Sequence, residues 1–273
     1  LQQQSQFTDY DFEGSGLSVL LDILAYNTHY QAYYLNMVAN ESFLDTALLR
    51  DSVISHAKVL SYVPYSRKAP RAVINFVANT DSTTSASLTI PKGFRFLSNE
   101  IDGASYGFVT LDETTVTKSN TNYEFLNLPI YEGQYVNYNY NYSQSTNPKQ
   151  VFTLPDSGVD TSTVTVTVQP SQTNTDITVY TLATDASQTT TTSTVFYLQE
   201  NKGQKYDIYF GNDVIGKSLP DGAVVSVTYL MTNGTAANKA NNFVGALTLS
   251  DSLNETLTNF TVTPVSAASG GSE

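Results

Sequence analysis

From residue 17 to residue 39, apolar side chains recur at helical spacing on two sides at once. At 100° per residue, Leu17, Leu20, Leu21, Leu24, Leu35 and Val38 share one side. Val19, Ile23, Tyr26, Tyr30, Tyr33, Tyr34 and Met37 share the other, leaving Ser18, Asp22, His29 and Asn36 as a narrow polar strip. The pattern predicts a helix that starts after the turn Gly14-Ser15-Gly16, with Asp9, Asp11 and Glu13 near its positive end. A second helix is predicted over residues 43–60, where Phe43, Ala47, Ile54 and Ala57 form a row able to cover one face of the first in a hairpin. The other face then needs a further cover, either the rest of this chain or helices of other chains. Its tyrosines suit the second choice, because aromatic side chains concentrate in protein interfaces.

After Pro64 the period changes. Residues 17–61 lack Pro and Gly, whereas residues 70–265 are rich in Thr, Val and Tyr and punctuated by both. Beyond the basic connector Arg67, Lys68 and Arg71, strands are predicted over 72–78 (with Val73, Phe76 and Ala78 apolar) and over 87–90. The second of these turns through Pro91-Lys92-Gly93 into a strand over 94–97. Tyr135, Tyr138, Tyr140 and Tyr142 partly alternate with Asn, and Val164, Val166 and Val168 alternate cleanly with Thr, before a Thr-rich turn over 188–194. Strand signals return at 195–198, 206–210, 224–230 and 246–249.

The expected fold class is therefore α+β: an N-terminal helical hairpin, then a mainly antiparallel all-β body with a β-rich insertion. The expected divisions are 1–64 for the helices, 65–118 with 201–265 for the body, and 119–200 for the insertion.

Composition removes most chemistry. The 273 residues include 13 Lys and Arg against 25 Asp and Glu, a net charge of −12, which speaks against a nucleic-acid partner. Charged residues form only 14% of the chain, so 36 Thr, 22 Asn and 19 Tyr must supply much of its polar surface. Zero Cys excludes disulfides, thiolate nucleophiles and Cys-bound metals, and two His leave little for an imidazole site. No apolar window reaches the ~18 residues of a membrane span. We expect no cofactor, no metal and no catalytic residue.

One string tests that expectation. Residues 211–218, Gly-Asn-Asp-Val-Ile-Gly-Lys-Ser, fit the phosphate-loop pattern letter for letter. Phosphate binding needs Lys217 and Ser218 to open a helix, yet Leu219-Pro220-Asp221-Gly222 and a β-rich run follow, so a strand-turn-strand is the expectation. His29 and His56 sit on different predicted helices without metal-ligand spacing, and acid pairs such as Asp112 with Glu113 and Asp156 with Asp160 are expected on an acidic chain without glycosidase catalysis.

Longer blocks point elsewhere. Residues 7–12 (Phe-Thr-Asp-Tyr-Asp-Phe), 17–22 (Leu-Ser-Val-Leu-Leu-Asp), 25–28, 41–47, 49–53, 55–58 and 60–64 resemble the N-terminal part of the baseplate wedge proteins of contractile-tailed phages, in the baseplate J-like family. In the body, Phe210-Gly211 through Gly216-Lys217, with Gly222, Tyr229 and Asn233-Gly234, resembles that family's β element, which holds no nucleotide. Residues 269–273, Ser-Gly-Gly-Ser-Glu, resemble a segment that leads into a further C-terminal portion, so residues 266–273 are expected to begin one.

The resemblance implies a non-enzymatic structural role in the virion tail baseplate, assembled in the host cytoplasm. Copies would join the inner baseplate ring through helix bundling and β-domain contacts and rearrange on tail contraction. The implied partners are a second copy, another wedge protein in a helical bundle, the central hub and sheath-proximal baseplate proteins, without nucleic acid or membrane. The bundling residues would be Val19, Ile23, Tyr26, Tyr30, Tyr33, Tyr34 and Met37. Three alternatives stand beside this: a receptor- or glycan-binding tail protein using Tyr138 and Tyr140, a glycan-degrading tail enzyme, and a baseplate subunit of a contractile injection system.

Overall fold

The computed structural model describes residues 16–59, 66–80, 84, 86–183, 189–245 and 248–273. Residues 7–12, Asp9, Asp11, Glu13, residues 60–64, Gln188 and Ala246, all used above, lie outside them. The chain forms two compact units, 1–64 and 65–273.

In the first unit α1 (Gly16–Glu41) spans the two-faced segment, and α2 (Arg50–Val59) follows. α2 starts seven residues later than the expected Phe43, because residues 42–49 form turns whose amides bond backward, as Ala47 does to the Phe43 carbonyl (2.9 Å). The row through Phe43 and Ala47 therefore does not exist as a helical face. No residue of α1 is buried. No helix among the described residues is long and apolar enough to cross a membrane.

The second unit holds two main sheets. A six-stranded antiparallel sheet contains β1 (Arg71–Asn79), β3 (Arg95–Ser98), β4 (Gly107–Val109), β6 (Asn122–Glu132), β14 (Phe243–Gly245) and β17 (Phe260–Ser269), in the order β14-β3-β4-β6-β1-β17. A seven-stranded sheet contains β7 (Gln134–Asn141), β8 (Val151–Thr153), β9 (Val159–Gln169), β10 (Thr178–Leu182), β11 (Val195–Glu200), β12 (Tyr206–Phe210) and β13 (Val224–Met231), in the order β7-β13-β9-β10-β11-β12-β8. Among the described residues, only β10 and β11 pair in parallel. Two short pairs, β2 (Ser87–Ile90) with β5 (Thr114–Thr117) and β15 (Leu249–Ser250) with β16 (Thr256–Leu257), complete the body.

The fold class follows the expectation, but pairing redraws its interior. Strand β2 pairs with β5 and β3 with β4, so no hairpin joins residues 87–97. In β1 the inward residues are Ala72, Ile74, Phe76 and Ala78, and Val73 lies on the other face. The chain leaves the first sheet at Glu132 and rejoins it after Met231, so the inserted lobe does not follow 119–200: β6 belongs to the first sheet, and β12 and β13, expected in the body, belong to the second. Alternation reports which face a residue takes but not which strand lies beside it. Residues 266–273 belong to the body, because β17 pairs with β1 through Ser269 and Ser272 exchanges backbone hydrogen bonds with Lys68 (3.0 and 3.2 Å).

Each lobe has its own core. The first is centred on Phe76, whose ring meets Phe94, Phe96, Phe125 and Phe260 at centroid distances of 5.2–6.0 Å. The second gathers Val166, Ile208, Val225, Val227 and Tyr229. A small cluster of Ala69, Val109 and Leu230 with Tyr131 and Tyr135 joins them.

Two buried carboxylates tighten that joint. Glu132 accepts from the Thr232 hydroxyl (2.6 Å), the Asn233 amide (3.0 Å) and the Asn233 side chain (2.7 Å). Asp160 accepts from the Ala69 amide (2.9 Å) and from Ser162. Between these residues, Gly133 turns the chain at φ +131°, where a Cβ would stand 2.4 Å from the Met231 carbonyl oxygen.

Candidate helical interface

All seven residues expected to bundle lie on α1 and are exposed, from 39% at Tyr30 to 64% at Tyr26. The opposite face is no better covered: Leu20, Leu21, Leu24, Leu35 and Val38 are exposed too. A helix this apolar on both sides is in water only at the cost of ordering solvent around it.

Its tyrosines are already organised as a ladder. Tyr26 and Tyr30 meet edge to face with centroids 4.5 Å apart, and the Tyr26 hydroxyl donates to the Tyr30 hydroxyl (2.7 Å), which raises the Tyr26 pKa. Tyr30 and Tyr34 follow at 6.2 Å, and Tyr33 and Tyr34 at 5.8 Å. The i, i+4 spacing puts each ring over the previous turn, so neighbours limit one another's rotamers before any partner arrives. Less side-chain entropy then remains to be lost on binding. His29 lies beside Tyr30 at 6.2 Å.

The junction to α2 is set by a residue the sequence reading missed. Glu41, the last residue of α1, accepts from the Leu48 (3.0 Å) and Leu49 (3.2 Å) amides just before α2, and His56 of α2 meets the Glu41 carbonyl at 2.9 Å. A hydrogen bond from Ser52, then those from the Leu48 and Leu49 amides, hold the Glu41 carboxyl below its usual value. Glu41 therefore caps the positive end of α2 from outside it. The usual capping signal lies within a few residues of the helix start, and Glu41 stands too far upstream for that pattern.

The competing chemistries find their residues occupied. In the loop 211–218 the Val214 and Ile215 amides donate to Asn212 (3.1 Å each), and the Ser218 amide and hydroxyl donate to Asp213 (2.9 and 2.6 Å). The amides a phosphate would use are thus spent, a carboxylate sits among them, and no helix follows. Nor is this loop a hairpin, since β12 and β13 lie apart in their sheet. Asp156 accepts from the Tyr229 hydroxyl, whose pKa is pushed well up by burial and then by this bond. The Tyr140 hydroxyl donates to the Thr153 carbonyl (2.7 Å) and its ring packs on Phe152 at 5.2 Å, so of the proposed glycan pair only Tyr138 is exposed. Among the described residues, no group of three or more His, Asp and Glu is placed to hold a metal.

Comparison with known proteins meets this geometry at the helical unit. Residues 1–62 match the family described as baseplate wedge protein gp6-like, helical domain, a span that contains both α1 and α2. The chain is also 31% identical over 279 residues to the baseplate wedge protein gp6 of Enterobacteria phage T4, an alignment that covers 96% of this chain and 40% of that protein. The chain thus spans about two fifths of its relative's length, and these two matches, which take in both units, support a baseplate wedge protein of a contractile-tailed phage.

Proposed function

We propose that this chain is a structural, non-enzymatic subunit of the wedge in the virion tail baseplate. By α1 it bundles with a second copy and with another wedge protein, and by its β body it meets neighbours in an inner ring around the hub, below sheath-proximal proteins. The ring rearranges on tail contraction. One observation supports this reading above the others: twelve large apolar side chains on a 26-residue helix are exposed, and no residue of that helix is buried. Removing such a surface from water favours association by roughly 25 cal/mol per Å² before the costs of ordering are met.

The test is sedimentation of the full chain, alone and with the co-expressed second wedge protein. Ile23→Asp with Tyr30→Asp should weaken association at least ~10-fold while leaving the β-sheet circular dichroism unchanged, since two charges would be carried into the bundle. Undiminished association of the double variant would overturn the bundle.

A further inference from the structure

On α1 the exposed side chains fall into two seams of coiled-coil spacing, in which steps of three and four residues alternate. One runs without a break through Val19, Ile23, Tyr26, Tyr30, Tyr33 and Met37. The other runs through Leu17, Leu20, Leu24, Asn27, Gln31, Tyr34 and Val38, and two amides interrupt it at its centre. At 100° per residue the seams lie about 110° apart, with Tyr34 where they adjoin, so a different neighbouring helix can sit on each.

The interruption restricts what can cover the second seam. The Gln31 amino group donates to the Asn27 side-chain oxygen (3.4 Å), and among the described residues neither side chain makes another hydrogen bond. The Asn27 amino group and the Gln31 side-chain oxygen therefore need partners from whatever helix buries them, and an apolar helix would leave them unpaired. Lys would offer only donors and Glu only acceptors, whereas an amide offers both. A second copy supplies these amides at the right level in either direction. Side by side and parallel, Asn27 meets Asn27 and Gln31 meets Gln31; antiparallel, Asn27 meets Gln31 and Leu20 meets Val38. Charge does not oppose the pairing. Asp22, the one acidic residue of α1 before Glu41, lies on the polar strip away from this seam, so the net charge of −12 is not concentrated where the two helices touch.

We propose that the interrupted seam of α1 takes a second copy of this chain, with Asn27 and Gln31 as the residues that specify that partner, and that the unbroken tyrosine seam is left for a different helix. The proposal rests on the bundle reading above and assigns each seam its partner. A polar layer weakens an apolar seam but fixes its register and its choice of partner.

The chain has no cysteine, so each substitution to Cys in the full chain carries a single thiol, and the sites used are exposed in the unpartnered chain. An equal mixture of Leu20→Cys and Val38→Cys chains can form disulfides whether the helices run parallel (20 to 20, 38 to 38) or antiparallel (20 to 38). Under mild oxidation, without the other wedge protein, it should give about tenfold more covalent dimer than an equal mixture of Tyr26→Cys and Tyr30→Cys chains. Equal yields, or the reverse order, overturn the proposal. The polar match is tested by co-expressing two differently tagged copies, one of them carrying Asn27→Leu with Gln31→Leu. Mixed pairs set amides against leucines and should be about tenfold scarcer than like pairs. Mixed pairs at the random proportion overturn the role of Asn27 and Gln31. Failure of Ile23→Asp with Tyr30→Asp to weaken wedge assembly would break the bundle reading, whereas weakened assembly with equal cross-linking from both mixtures would break this inference alone.

Discussion

In β1, Ala72, Ile74, Phe76 and Ala78 alternate with less buried neighbours and are fully shielded from water. In α1, side chains as large and as apolar face solvent on two sides. Strand β1 finds its cover within its own unit, in the sheet neighbours β6 and β17 and the phenylalanines of the first core. Helix α1 has a nearly complete apolar circumference, and a partner on one side of such a helix leaves the other side bare. The contrast separates two uses of hydrophobic residues. In the strand they stabilise the chain, and in the helix they are available to stabilise an assembly.

The contrast can be broken first where burial is complete. Phe76→Ala removes the ring at the centre of the first core and should cost ~3–5 kcal/mol, read by denaturant unfolding through the β-sheet signal. A loss under ~1 kcal/mol would mean that the core repacks freely. The next effect belongs to the joint between the lobes. Glu132→Ala leaves the Thr232 hydroxyl and two Asn233 donors without their acceptor and should cost ~1–3 kcal/mol in the same measurement.

On α1 the direction changes. Tyr33→Ala should alter the stability of the isolated chain by no more than ~0.5 kcal/mol, because the side chain is 60% exposed, yet it should weaken assembly with the wedge partner. Equal losses in both measurements would erase the distinction between the two regions.

The smallest effect is electrostatic and lies in the cap of α2. A carboxyl held below its usual value stabilises the fold most fully above that value, 4.5 for Glu41. The stabilisation is lost as pH falls through the lower, folded-state value. Helix content followed by circular dichroism on acidification should therefore drop more in the parent chain than in Glu41→Gln, and identical profiles would remove Glu41 as the cap.

Much of this was legible in the residues. Helical spacing marked both faces of α1, and period-two alternation marked β9 and, in part, β7, because these are local patterns repeated within one element. The same spacing grouped the seven α1 residues on one face, and the structure leaves all of them exposed. Glu41 was not readable as a cap, since its hydrogen bonds reach seven and eight residues ahead across a turn whose shape the sequence does not announce. Glu132 carried no signal in the sequence and Asp160 entered only as half of an acid pair with Asp156, because their donors lie up to 101 residues away.

The sequence by itself determined the two classes of element, their order and the two-sided greasiness of α1, all consequences of side-chain spacing along one segment. It also determined that thiol chemistry is absent, since there is no cysteine to supply it. Only the tertiary structure decided which strands are neighbours, where the inserted lobe begins and ends, and that residues 266–273 close onto Lys68. Strand pairing joins residues far apart in the chain, and alternation is the same whichever strand lies alongside, so the partner is chosen only when the whole sheet forms.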